Sequence, residues 1–409
     1  MPVLYYLGIL FTVAALCALI NHHVTRLPSA IGVMSVSLVF SLLLLLGEGI
    51  GLISVDRAAA FISAIDFQEL VLHGMLAFLL FAGGLTVNFQ ELRSQKGVVL
   101  LLSTLGVACG AFITGGLFWL VMGWLGIELP FIVALLLGAI VSPTDAVAIL
   151  GILRKVGVPK SIELKLVGES LFNDGIGVVV FLAVSAMAFG QGISVNQALL
   201  MLVIEVVGGA ALGGVLGYVT YRLIKGVDEY VVEILLTLAL AVGGYSLAEA
   251  LHVSAPICVV VAGLIIGNQG RELAMSHTTR EHLDTFWELI DELLNVVLFV
   301  LIGLEVLILG RGHGFFLAGA VAIAAMCISR LICVWGVVSI LKQFRSFSPH
   351  VVKILSWGGL RGGISVALAL SLPPGDKRDL LVACTYLVVL FSVLVQGGSL
   401  PALLRYAKR

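Results

Sequence analysis

Apolar residues run along this chain in stretches that, with one shorter exception, reach roughly seventeen residues or more, the length a helix needs to cross a bilayer, and short segments between them hold most of the charge. Thirteen such stretches can be marked: Val3–Ile20, Ala30–Leu46, Leu70–Thr86, Val98–Leu125, Phe131–Leu150, Leu164–Ala188, Ala198–Ile224, Tyr230–Ala248, Ala255–Gly267, Phe286–Leu309, Phe315–Leu341, Val352–Leu372 and Leu380–Leu404. The one near Ala255 is the shortest. Ile53–Phe67 predicts an amphipathic connector, with Asp56, Arg57 and Asp66 outside an apolar stripe, and Gln269–Asp284 predicts a polar loop. The expected fold class is an all-α polytopic membrane protein with about 13 transmembrane helices.

Two stretches are interrupted. The fifth contains Ser142-Pro143-Thr144-Asp145, and Ser at N-cap, Pro at N1 and Asp at N3 form a helix-start signal in the middle of a span. The expectation is a discontinuous helix whose second half begins near mid-membrane, its positive end facing a cavity and partly balanced by Asp145. The twelfth carries Ser356-Trp357-Gly358-Gly359-Leu360-Arg361-Gly362-Gly363, where four glycines around one arginine argue against a regular, lipid-facing helix. Either break alone fits an ordinary kink. Together, at corresponding places seven spans apart, they predict an inverted repeat of the kind found in secondary transporters. Spans one to six would repeat as eight to thirteen, with the seventh as linker.

The sixth stretch holds the densest polar group of the chain, Glu169-Ser170-Leu171-Phe172-Asn173-Asp174. Asp174 falls near the hydrocarbon midplane, where an unpaired charge costs roughly 2.5–3.5 kcal/mol on insertion scales. Helical spacing stacks Ser170 over Asp174 and Glu169 over Asn173, so these groups are expected to share one broad face turned toward protein or a wet cavity. A polar contact that only joins helices is the plainer reading. An ionisable residue at this depth favours a functional site.

Composition agrees. Of 409 residues, 60% are hydrophobic and 11% charged, where soluble domains carry about 25% charge. A formal net charge of −1 suggests no nucleic-acid partner; the lipid bilayer is the expected one. The 47 glycines suit close helix packing and broken helices. Six cysteines lie in apolar runs without a C-x-x-C, so neither a metal site nor a disulfide framework is expected. Basic residues orient the chain: with the N-terminus outside, seventeen of the 23 fall in inside segments and four (Arg57, Arg311, Lys377, Arg378) in outside ones, while Arg330 and Arg361 lie within spans. That pattern places the C-terminus in the cytoplasm. Met1–Ile20 lacks a basic n-region and a cleavage site, so it is expected to remain as a span, and no cytosolic tail domain is expected after Leu404.

The combined motifs Gly168-Glu169-Ser170-Leu171-Phe172-Asn173-Asp174, Ser142-Pro143-Thr144-Asp145-Ala146-Val147-Ala148 and Gly358-Gly359-Leu360-Arg361-Gly362-Gly363 resemble those of the monovalent cation:proton antiporter-1 family. These are bacterial sodium/proton antiporters related to animal sodium/hydrogen exchangers. Leu80-Phe81-Ala82-Gly83-Gly84-Leu85 and Phe299-Val300-Leu301-Ile302-Gly303-Leu304-Glu305 fit as well. The resemblance implies a homodimer, while the compact chain and the absence of an organelle address favour a prokaryotic plasma membrane, the bacterial inner membrane. The resemblance further implies an elevator-like core (approximately residues 98–188 and 315–404) moving against a dimerisation bundle (approximately 3–86 and 198–309). By the same resemblance Asp174 is the shared cation and proton site, and Ser170, Asp145 and the Thr144 carbonyl help to hold Na⁺. Glu169 pairs with a core arginine, Arg361 as first choice and Arg330 as the other candidate. No cofactor is implied beyond the transported ions.

The residues themselves support exchange. Desolvation disfavours the charged form of a buried carboxylate, and protonation or cation binding each neutralises it, so the two compete. The neutralised site can cross a barrier that holds the bare anion back. Oxygen ligands suit a hard monovalent cation, as they do other hard cations, and the same set would admit Li⁺ or K⁺. Asn173 stands where some related antiporters have a second aspartate, so one proton per cation, with no net charge moved, is expected. A cation channel would need a continuous polar pore, whereas the charges cluster at one depth. An Asp145–Asp174 protease dyad lacks the flanking motifs of such enzymes, and no catalytic activity is expected. His22-His23, His73, His252, His277, His282, His313 and His350 fall at span ends or in loops. Asp291 and Glu292 open the tenth span, at an ion path or a solvated helix start, and Glu205 and Glu305 are intramembrane acids that would line a dimer interface or a cavity.

Overall fold

A computed structural model describes residues 3–52, 54–156, 158, 160–189, 195–309, 315–344 and 347–407. Ile53, Arg311 and His313, named in the expectations above, and Arg345, Lys408 and Arg409, counted there among the inside basic residues, lie outside the described residues. Each apolar stretch falls on helix. Among the described residues nine helices are long and apolar enough to cross a membrane, with shorter apolar helices at Phe131–Ile140 and Ala255–Gly270. The amphipathic connector is present as Asp56–Ser63.

Several boundaries differ from expectation, for reasons of capping. The fourth stretch begins at Phe89 rather than Val98, because Asn88 accepts from Glu91 N (3.1 Å) and starts a helical segment, Phe89–Trp124, of 36 residues. The tenth begins at His277, where Ser276 Oγ accepts from Thr279 N (3.4 Å). Asp291 and Glu292 therefore lie well inside helix His277–Leu309 and do not open it. Gln269–Asp284 is correspondingly no long loop, since helix covers Arg271–Leu273 and resumes at His277. The short ninth stretch is fixed by Ser254, whose Oγ accepts from Ile257 N (3.4 Å), with Pro256 in the first turn.

Lys160–Phe189 is the central helix. Of its most apolar eighteen residues 56% are buried, against 11% for Asn196–Ile224, whose leucines and valines turn outward. An outward apolar face of that extent belongs against lipid or another apolar surface. The central helix packs on Phe131–Ile140, Phe89–Leu101, Ala146–Val156 and Ala255–Ile265. Phe315–Leu341 packs on Val107–Trp124 and Asp376–Leu390, while Ser29–Gly49 packs on His277–Leu309. Leu76–Thr86 and Val195–Ile224 both pack on Ala255–Ile265.

Both predicted interruptions are present. Ser142 to Asp145 is unwound between Phe131–Ile140 and Ala146–Val156, and Gly359 to Gly362 between Val351–Trp357 and Gly363–Leu370. The two unwound segments meet, with Asp145 N donating to Leu360 O at 2.7 Å. They lie beside the central helix where it carries its polar residues.

Candidate functional site

An interrupted helix leaves backbone groups without partners, and each must be answered inside the membrane. Here they are answered by side chains from the opposite segment. Arg361, on the second break, donates through Nη1 to the carbonyls of Ser142 and of Pro143 (2.8 Å to the latter). Its own N–H donates to Ser392 Oγ (2.8 Å), which in turn donates to Gln396 Oε1 (2.8 Å). Ser142 Oγ donates to Val107 O at 3.0 Å. With these groups committed, the second half-helix starts later than the Ser-Pro signal predicts. Asp145, not Ser142, sits in the capping position, its Oδ1 accepting from Ala148 N at 3.1 Å.

The first-choice pairing of Glu169 is corrected. Arg330 donates to both Glu169 oxygens (Nη2 to Oε2 at 2.9 Å) and also to Leu355 O (3.0 Å). The two arginines have separate tasks: Arg330, on the uninterrupted helix Phe315–Leu341, faces the carboxylate as a bidentate fork, and Arg361 answers the orphan carbonyls. Both are buried, as is Glu169. Gly359 makes this arrangement possible, because a Cβ there would lie 2.6 Å from Arg330 Nε.

The polar residues of the central helix do not share a single face. Glu169 and Asn173 border a small enclosed space with Ser142, Ser329, Arg330 and Arg361. Asp174, about 140° around the helix from Glu169, lines a larger cavity of about 330 Å³ with Pro143, Thr144 and Asp145. Thr144 lies between the two. Its N–H donates to Asn173 Oδ1 (3.2 Å), its Oγ1 accepts from Asn173 Nδ2 (2.6 Å), and Oγ1 shares a 2.8 Å hydrogen bond with Ser170 Oγ. Asn173 thus holds the unwound segment against the central helix.

Asp174 is 6% exposed, and among the described residues its carboxylate has no hydrogen-bond partner. That combination is unusual for a buried carboxylate, which normally collects donors. It leaves the oxygens open to whatever enters the cavity, with Ser170, Thr144 and Asp145 close by. Asp145 approaches Gly362 so tightly that a Cβ there would stand 2.0 Å from Oδ2. The structure therefore brings together all eight residues singled out from the sequence, in two groups rather than one.

Of the residues at the mouth of the cavity, the sequence singles out Asp291 and Glu292, at an ion path or a solvated helix start, and leaves the others unmarked. Asp284, Glu288, Asp291, Glu292 and Asn295 line it from helix His277–Leu309, with Arg271 paired to Asp284. The spacing of three or four residues between these acids was the available signal, obscured by expecting the helix to begin at Phe286. Ser392 and Gln396, which hold the Arg361 backbone, also went unnoticed, because nothing in an apolar span marks which hydroxyls face a break.

A family model described as sodium/hydrogen exchanger, transmembrane, matches residues 11–406. The Na(+)/H(+) antiporter NhaP of Pseudomonas aeruginosa is 47% identical over 393 residues, covering 94% of this chain and 92% of that protein. The Na(+)/H(+) antiporter NhaH of Halobacillus aidingensis is 33% identical over 411 residues, covering 98% and 96%. Among solved structures, the sodium proton antiporter MjNhaP1 from Methanocaldococcus jannaschii at pH 8 superposes with a TM-score of 0.77 over 99% of both chains at 20% identity, a likeness of fold. With the crossed breaks and the open aspartate in place and nearly the whole length matched, the chain belongs to the transmembrane sodium/hydrogen exchanger family.

Proposed function

We propose that this chain is a secondary antiporter that exchanges Na⁺ for H⁺ at Asp174, one for one and without moving net charge. The observation that carries the reading is the buried Asp174 carboxylate, free of hydrogen-bond donors among the described residues and facing a cavity at the crossing of two broken helices. A proton or a cation neutralises that carboxylate, and both cannot occupy it together. Ser170, Asp145 and the Thr144 carbonyl supply further oxygens to the cation, and water in the cavity completes its shell. Glu169 is engaged by the Arg330 guanidinium and takes no ion. Asn173 positions Thr144 and adds no titratable group, which favours one proton per cation. The curated relatives named above as Na(+)/H(+) antiporters support this choice of ions.

The charge distribution supports an N-terminus outside and a C-terminus in the cytoplasm of a bacterial plasma membrane. In that orientation the Asp174 cavity opens inward, past the acidic mouth of helix His277–Leu309, whose field concentrates cations. A core of residues 98–188 and 315–404 is the moving part, against a bundle of 3–86 and 198–309 that joins two copies. The helix packing described above, closest within each group, favours that division. The test is purified protein in liposomes with an imposed pH gradient, compared with Asp174→Asn. Adding Na⁺ should collapse the gradient in the unaltered protein and do nothing in the variant. Collapse by K⁺ alone would replace the cation, and no response to Na⁺, Li⁺ or K⁺ would overturn antiport.

A further inference from the structure

A second cavity, of about 710 Å³, opens at the other end of the same helices. Helix His277–Leu309 lines the Asp174 cavity through Leu298 and this one through Glu305 and Ile308. Seven residues of helix, roughly 10 Å of rise, separate Leu298 from Glu305. The half-helix Gly363–Leu370 repeats the arrangement, with Gly363 to Ser365 in the first cavity and Leu370 in the second. Between them Val366, Ala367, Leu368 and Ala369 are buried. The two cavities thus approach the interior from opposite faces, with a thin apolar layer between.

Glu305 is 5% exposed in the wall of the second cavity, and no described residue hydrogen-bonds its carboxylate. Asp66 and Asp379 stand in the same wall. Arg378 lies close enough to act on the Glu305 charge, yet its Nη2 donates to Leu370 O at 3.0 Å. Acids outnumber the base, and the deepest acid has no donor. Burial without a donor is costly for an ionised carboxylate, and a visiting cation removes that cost. The cavity has room for on the order of twenty waters at ~30 Å³ each, so a cation can arrive hydrated.

We propose that Glu305 is a second cation station, where a hydrated monovalent cation rests on the path between Asp174 and the face opposite the Asp174 cavity. Glu305 draws the cation in, and Arg378 keeps the hold weak enough for release, the balance that rapid passage requires. This rests on the antiport reading.

The experiment measures Na⁺/H⁺ exchange in right-side-out and everted membrane vesicles from cells lacking other antiporters. Glu305→Gln should raise the half-saturating Na⁺ concentration several-fold for Na⁺ presented at the Glu305 face and less than twofold at the Asp174 face. Glu305→Asp should restore most of the difference. Arg378→Gln should shift the same face the other way, lowering half-saturation, and decides the matter if Glu305→Gln does not accumulate. No change at either face, or an equal change at both, overturns the station. Exchange by the unaltered chain in the same vesicles reads antiport itself, so a silent Glu305→Gln in an active exchanger fails the station alone.

Discussion

Within two turns of the central helix, Glu169 and Asp174 are two buried carboxylates in opposite circumstances. Glu169 has a bidentate guanidinium, and Asp174 has no donor among the described residues. The first is structural, and the chemistry of a buried pair sets its test. Removing one partner leaves an uncompensated charge, at a cost of about 3–5 kcal/mol, whereas replacing both by apolar groups costs much less. Glu169→Gln and Arg330→Leu should each markedly lower the melting temperature of the detergent-solubilised protein. The double variant Glu169→Leu/Arg330→Leu should recover part of the loss. Additive losses would contradict the pairing. Asp174→Asn, by contrast, should leave the melting temperature near that of the unaltered protein while exchange is lost. Their spacing in sequence sets the two residues on different sides of the helix, not on the one broad face expected, and does not show which arginine reaches Glu169. That depends on Arg361 being drawn to the Ser142 and Pro143 carbonyls, which exist as free acceptors only because the other helix breaks.

At the level of elements, the two interruptions were legible because Pro and clustered Gly leave few alternatives in an apolar span. The capping position was not, since Ser142 fits the N-cap rule as well as Asp145 does. The choice was made by contacts distant in sequence, Ser142 Oγ to Val107 O and Asp145 N to Leu360 O. The crossing also requires a missing side chain. Gly362→Ala would put a Cβ 2.0 Å from Asp145 Oδ2, against a rigid half-helix start. Exchange should fall below a tenth of its rate with the protein still inserted, as judged by membrane fractionation. Gly243→Ala, with open space around its Cβ, is the matched control. It should leave exchange unchanged and add up to about 1 kcal/mol of stability through helix propensity. Equal behaviour of the two variants would remove the argument for close approach. The helices beginning at Phe89 and His277 were longer than hydropathy suggested, because caps at Asn88 and Ser276 extend them into polar sequence that an apolar window discards.

Across the whole molecule, the all-helical class and the two broken helices followed from hydropathy and punctuation. The paired cavities did not, because they arise between helices far apart in sequence, and of the acidic mouth only Asp291 and Glu292 were singled out. The mouth has a measurable role. Neutralising Glu288 and Asp291 together should raise the half-saturating Na⁺ concentration at low ionic strength, with the effect shrinking as salt screens the field. A shift that persists unchanged at high salt would point to direct ligation instead. One-for-one exchange further predicts a rate that ignores membrane potential in voltage-clamped liposomes, and a rate that follows voltage would count against it. The most direct measurement is the half-saturating Na⁺ concentration as a function of pH in proteoliposomes. If Na⁺ and H⁺ share Asp174, acidification protonates the carboxylate and half-saturation climbs in proportion to proton concentration, with the maximal rate at saturating Na⁺ preserved. A half-saturation that stays fixed while the maximal rate falls would mean separate sites, and Asp174 would not be where the two ions compete.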